Sequence, residues 1–177
     1  MKTKRIAQFT FLAAALAFAL PAGADTMSVP TAANPAYTLD VPATWKPKAN
    51  TADESVEATA PGNHAYLSAW ISKSSEPKAA EAFAKDLDTT LKDSLKSIDE
   101  SSVKQEAFET NGVAMIVVKG SGLDKRAGTK VQFQVALFPA GGDRVGIVYT
   151  DWDADAPKNI MDEIQGIMKS IKVVAKK

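Results

Sequence analysis

The clearest alternation of apolar and polar positions in the chain falls in three consecutive runs, 113–119, 130–138 and 144–150, with a turn-rich break after each of the first two. In the middle run Val131, Phe133, Val135 and Leu137 point one way, while Lys130, Gln132 and Gln134 point the other. That period of two is the mark of a strand with one drier face. A meander of this kind needs a cover for its apolar side, and two helical stripes supply one. Phe83, Leu87, Leu91, Leu95 and Ile98 recur at steps of four, four, four and three, which makes one stripe on a helix ending near residue 98. Ile160, Met161, Ile164, Ile167, Met168 and Ile171 make a second stripe, the strongest helical pattern in the sequence.

The remaining elements follow in order. Tyr37, Leu39 and Val41 share one face of a short strand closed by Pro42, and Trp45 in the turn beyond it is placed to plug the end of the core. A weaker strand spans 55–60, and Pro61-Gly62-Asn63 turns the chain. The strand at 65–72 is apolar at Ala65, Leu67, Ala69 and Ile71 and carries Tyr66 and Trp70 between them. A strand apolar on both faces is covered on both sides, so a helix is expected on each face of the sheet. Ser74-Ser75-Glu76-Pro77 reads as a helix start, with a hydroxyl cap, an acid and a first-turn proline. A further strand at 103–108 leads to Asn111-Gly112, a hairpin turn signal. Val173-Val174 adds a final edge segment. The fold class predicted is α+β, a mainly antiparallel sheet flanked by two amphipathic helices.

Before this domain the chain carries an address. Lys2, Lys4 and Arg5 precede an uncharged run at 9–20, Pro21 ends it, and Ala22-Gly23-Ala24 offers small residues for cleavage, which is the anatomy of a secretory signal. The run is shorter than the about 20 residues a spanning helix needs. Residues 1–24 are therefore expected to be a signal peptide, 25–35 a flexible N-terminal segment, and 36–177 a single domain. The expected location is the periplasm, with no stable membrane anchor after cleavage. The whole chain has 21 basic and 21 acidic residues, and the leader's charges are all positive, so the exported part is slightly acidic. No basic cluster would track a phosphate backbone, and nucleic acid is not an expected partner. With no cysteine in the chain, disulfides, thiol catalysis, Fe–S clusters and cysteine zinc sites are excluded.

The order strand, Trp turn, two strands, long helix, four strands and C-terminal helix resembles the PsbP-like superfamily. That group includes the photosystem II extrinsic protein, the Ran-binding Mog proteins and bacterial DcrB-like periplasmic proteins. Two local marks join the long helix in carrying the resemblance: the run from Tyr37-Thr38-Leu39-Asp40-Val41-Pro42 through Ala43-Thr44-Trp45, and the ending Ile167-Met168-Lys169-Ser170-Ile171-Lys172. The resemblance implies an α/β/α sandwich and a non-enzymatic accessory or binding role, and it brings no catalytic residues. Many DcrB-like relatives are lipoproteins. This chain has no cysteine to carry a lipid, which puts anchoring in doubt.

Asp151, Asp153 and Asp155 form the D-x-D-x-D start of a calcium loop, and alternating oxygens suit Ca²⁺ or Mn²⁺. Ala156 and Asp162 stand where an EF-hand loop has its glycine and glutamate, and Pro157 interrupts it. The favoured reading is that Asp153 or Asp155 caps the C-terminal helix. His64, the one histidine, lies in a turn with no G-x-S-x-G motif anywhere near it. The glycines at 120, 122 and 128 with Lys130 have the wrong order and spacing for a phosphate loop, and a strand follows them; a long mobile hairpin tip is expected there. Lys125 and Arg126 make that tip a docking point for an acidic partner. Trp45, Tyr66, Trp70 and Trp152, with Tyr149, are the candidates for a ligand or partner surface. The leading expectation is an exported, non-enzymatic accessory or binding protein without a cofactor, whose partner is a protein or small ligand of the periplasm. A carboxylate-based Ca²⁺ or Mn²⁺ binder is the alternative, and a hydrolase centred on His64 a third.

Overall fold

The computed structural model describes residues 23–73, 79–125 and 128–175. The elements run β1 (Ala24–Val29), β2 (Tyr37–Pro42), β3 (Lys48–Asn50), β4 (Ser55–Thr59), β5 (Ala65–Lys73), α1 (Ala79–Ser94), β6 (Leu95–Thr110), β7 (Val113–Asp124), β8 (Lys130–Pro139), β9 (Arg144–Asp153), α2 (Lys158–Ser170) and β10 (Lys172–Val173). A seven-stranded antiparallel sheet has the order β3-β4-β5-β9-β8-β7-β6, and a three-stranded one has the order β1-β2-β10. The leader at 1–22, the Ser74–Pro77 helix start, the Phe83 side chain and Arg126 lie outside the described residues.

The large sheet has a core on each face, as the doubly apolar β5 demands. On one face Leu67, Ala69, Met115, Val117 and Val148 pack with Tyr37, Leu39 and Val41 of the small sheet and with Ile160, Ile164, Ile167 and Met168 of α2. On the other, Leu87 and Leu91 of α1 meet Val131, Phe133, Val135, Leu137, Ile147 and Tyr149. The α2 stripe is buried as its spacing predicts. The hairpin turn also forms, with Asn111 and Gly112 both at positive φ, as a two-residue turn between right-twisting strands requires. Its tip closes the end of α2: Thr110 Oγ1 donates to the Lys169 carbonyl at 2.8 Å and Asn111 Nδ2 to the Ile171 carbonyl at 3.0 Å.

Two strand glycines are explained by the register. Gly120 faces Phe133 and Gly146 faces Phe138. A Cβ at Gly120 would stand 2.7 Å from the Phe133 ring, so each ring lies across bare backbone.

Four expectations are corrected. The stripe through Leu95 and Ile98 does not continue one helix, because α1 ends at Ser94 and β6 begins at Leu95. Ser97, Ser101, Ser102 and Val103 are residues that a helix interior disfavours, and Leu95 reaches the same core from a strand. The segment expected to be flexible at 25–35 instead starts as β1, paired with β2 from Ala24↔Pro42 to Val29↔Tyr37. The physical reason is its own alternation: Met27 packs against the core and Val29 is fully buried. The supposed hairpin tip is largely strand, since β7 holds Gly120 and Gly122 and extends to Asp124. Finally, no aspartate caps α2: its N-cap is Pro157, and β9 runs on through Asp151 and Asp153.

Phe133 is 1% exposed. Phe133→Ala is therefore expected to lower the unfolding free energy by about 3–5 kcal/mol, read by urea denaturation. A loss under about 1 kcal/mol would place the ring outside the core.

Candidate functional site

The two faces of the large sheet are not equally covered. On the α1 side the register sets Glu57 beside Ser68, Tyr66 beside Asp151, Ser68 beside Tyr149 and Trp70 beside Ile147. These side chains share one face because alternate residues do. The leucines of α1 pack over β8 and β9. In β4, Val56 and Ala58 are buried in the opposite core, and Glu57 and Thr59 are left exposed on this side. What remains between α1 and β4, β5 and β9 is a cleft of about 800 Å³.

Six carboxylates line it, those of Asp53, Glu57, Asp93, Asp124, Asp151 and Asp153, and among the described residues no lysine or arginine does. Tyr66 and Trp70 contribute half-buried rings. Tyr149 lies at the floor, where its hydroxyl donates to Asp151 Oδ2 at 2.8 Å. Burial, then the Asp151 charge, pushes this phenol well above its ordinary range. At the rim His64 Nδ1 donates to Asp153 Oδ2 at 3.0 Å, with the two side chains 41% and 31% exposed. The His64 carbonyl also accepts from the Asp153 N–H at 2.9 Å, so the turn is tied to the end of β9 twice.

Of the residues singled out in the sequence, Tyr66, Trp70, Trp152, Asp151, Asp153 and His64 are brought together at this cleft. Trp152 borders it while also packing against the core on the α2 side. Trp45 does not belong to any surface: it is fully buried, and its indole N–H donates to Glu163 Oε2 at 2.7 Å. It is the plug its position implied. Lys125 is exposed and held against the end of α1. Its ammonium donates to the Lys92 carbonyl at 3.0 Å and its backbone N–H to the Ser94 carbonyl at 3.0 Å, so it closes the end of α1.

The three aspartates do not assemble a calcium loop. Asp151 and Asp153 share a face of an extended strand and turn to Tyr149 and His64, while Asp155 is exposed in the turn beyond. No group of three or more His, Cys, Asp or Glu among the described residues is placed to hold a metal ion. Tyr149, grouped with the aromatics in the sequence, lines the cleft too, whereas sequence reasoning missed Asp53, Glu57, Asp93 and Asp124 as cleft residues. The legible signal was Ser55, Glu57 and Thr59, a polar face one strand away from the aromatic face of β5.

No protein-family model matches the chain, and no curated protein matches its sequence. The solution structure of cyanobacterial PsbP (CyanoP) from Synechocystis sp. PCC 6803 superimposes with a TM-score of 0.55 at 12% identity, over 92% of this chain and 99% of that one. The fold is PsbP-like. A crystal structure from Bacteroides thetaiotaomicron also matches this PsbP-like fold, with a TM-score of 0.52 and 9% identity over 79% of the chain. The chain spans only 46% of that protein's length. A Pseudomonas aeruginosa protein of unknown function, PA94, gives a TM-score of 0.49 at 13% identity, covering 88% of this chain and 99% of its own.

The second raised phenol is Tyr37, fully buried on the opposite face and shifted by desolvation. For both tyrosines the folded state holds the proton more tightly than the unfolded chain. Their stabilisation is whole below the ordinary tyrosine value of about 10 and is lost as the pH climbs from there toward the raised folded values. A spectrophotometric titration of the folded protein is expected to show at most one of the three tyrosines ionising. More than one ionising before the fold is lost would contradict the burial of these hydroxyls.

Proposed function

We propose that this chain is an exported, non-enzymatic binding protein of the DcrB-like kind, and that it holds a small ligand in the cleft beneath α1. The cleft carries the reading. Its volume of about 800 Å³ falls in the range of small-molecule sites, and it combines aromatic rings with convergent polar groups, as such sites do. Export is supported by the basic start, the uncharged run at 9–20 and the small residues before Asp25. Among the described residues no helix is long and apolar enough to cross a membrane. The absence of catalysis is supported by the chemistry to hand: no cysteine exists, and the one imidazole is tied to Asp153 at an open rim. The acidic lining argues against nucleic acid as a partner.

The test is thermal melting of the cleaved protein with fractions of a periplasmic small-molecule extract. A ligand bound only by the native state raises the midpoint. The Ser68→Arg variant, which fills the floor between Glu57 and Tyr149, is expected to fold and to lose that rise. An equal rise in both proteins would place binding elsewhere. In a broad esterase and phosphatase screen the protein is expected to stay at background; hydrolysis that disappears in His64→Ala would contradict the non-enzymatic reading.

A further inference from the structure

We infer that the outer edge of β6 pairs with β6 of a second copy of this chain, forming a two-fold dimer whose large sheets run on into each other. The contact lies apart from the cleft, since none of residues 101–110 lines that cavity. Three features of the edge point to this partner.

The first is backbone left open. The large sheet ends on one side in β3, a strand of three residues, and on the other in β6, a strand of sixteen. A short edge strand offers little to pair with, whereas a long one presents a row of backbone groups to another chain. The hairpin turn fixes which groups those are. Asn111-Gly112 closes on Thr110↔Val113, which is a bonded pair in a two-residue turn. Bonded and open pairs then alternate along the ladder. Lys104, Glu106 and Phe108 therefore bond to β7, and the N–H and C=O groups of Val103, Gln105, Ala107 and Glu109 point outward. The register with β7 is regular from Lys104 to Thr110, so no bulge interrupts this outer row.

The second feature is apolar surface beside the same edge. Val103 and Ile116 are the exposed large apolar side chains among the described residues, at 42% and 45%. They share the α1-side face: Ile116 is opposite Ala107, and a Cβ at Gly120 would meet both Phe133 and Val103. The leucines of α1 pack over β8 and β9 and leave this strip bare. In antiparallel pairing centred on Gln105, Val103 of each copy stands opposite Ala107 of the other, with Ile116 next in the row. Two exposed strips then become one covered one.

The third feature is charge, and it selects the register. A two-fold axis normal to the sheet pairs residues at equal distances on either side of it. With Gln105 on the axis, Lys104 of each copy faces Glu106 of the other. Moving the axis to Lys104 or to Glu106 would set that charge against its own copy, which is destabilising. Within one chain Lys104 lies directly opposite Lys119, and Glu106 accepts from Lys119 Nζ at 2.6 Å. A second Glu106 across the axis offsets the crowding of those two lysines. The same charges repel the neighbouring registers, so they specify as well as attract.

Sedimentation velocity of the cleaved protein over a wide concentration range is the test. A reversible monomer–dimer equilibrium is expected, because a single edge strand makes a small interface of the weak class. Proline is tolerated at an edge where the N–H faces solvent, so Gln105→Pro is expected to melt as the parent does and to stay monomeric. Lys104→Glu and Glu106→Lys each set like charges across the axis and are each expected to weaken self-association about tenfold. Mixed in equal amounts, these two variants restore opposite charges at both ends and are expected to pair as tightly as the parent. A merely unfolded variant would not recover on mixing. A parent that stays monomeric up to millimolar concentration would overturn the proposal. So would a dimer that survives Gln105→Pro, or charge variants that do not recover each other when both melt as the parent does.

Discussion

The pairing of β5 with β9 is the contact on which the rest of this molecule depends. Nine residue pairs, from Ala65↔Trp152 to Lys73↔Arg144, join the N-terminal hairpin of strands to the last strand of the meander, across the whole of α1 and β6 to β8. Without it there are two separate sheets, each with an uncovered edge. Tyr37 fastens the same seam from below. Its hydroxyl is shared between the carbonyls of Trp70 and Ile147, at 3.2 and 3.0 Å, and those two residues face each other across the ladder. The Tyr37 ring meets Phe138 edge-on, with centroids 4.9 Å apart. One buried side chain thus ties the small sheet, β5 and β9 together.

The seam also decides where chemistry can happen. Below it, α2 and the small sheet fill the space, and residues from Val29 to Ile171 make one dry core. Above it, α1 is anchored through Leu87 and Leu91 over β8 and β9, and the floor made by β4 and β5 stays open. The cleft is therefore a consequence of incomplete cover and not of a dedicated loop. Its rim and floor are stabilised by the same groups that give it charge: Asp151 accepts from Tyr149 and Asp153 from His64. Carboxylates held in this way are oriented before any ligand arrives, which reduces the ordering cost of binding.

Much of this architecture was legible in the chain because one physical signal dominated. Ile160, Ile164, Ile167 and Met168 have no reading but a helix, and Val131, Phe133, Val135 and Leu137 none but a strand face. Where two periods coincide, the reading slipped. Leu95 and Ile98 fit the α1 stripe, yet they reach the same core from β6, and the irregular pairing near Leu95 and between Asp99 and Lys104 erased the alternation that would have revealed a strand. Met27 and Val29 were too few to outweigh the surrounding prolines and threonines, although β2 offered them an edge to pair with. The aspartates after Tyr149 looked like caps because the sequence cannot show that β9 outlasts its apolar residues. Half of the site was visible as a list of residues, Tyr66, Trp70, Asp151 and Asp153, but its acidity was not. Glu57, Asp93 and Asp124 are far apart along the chain, and only the register brings them to one cavity.

Native-state hydrogen exchange tests the central claim directly, since it resolves the opening free energy of each amide. If the β5–β9 seam holds the molecule together, the bonded amides of Ser68, Trp70, Ile147 and Tyr149 exchange only through global unfolding, with protection equal to that of the α2 core. If those amides open at lower free energy than the β7–β8 ladder, the seam is a late and local contact, and the cleft built upon it has no fixed floor.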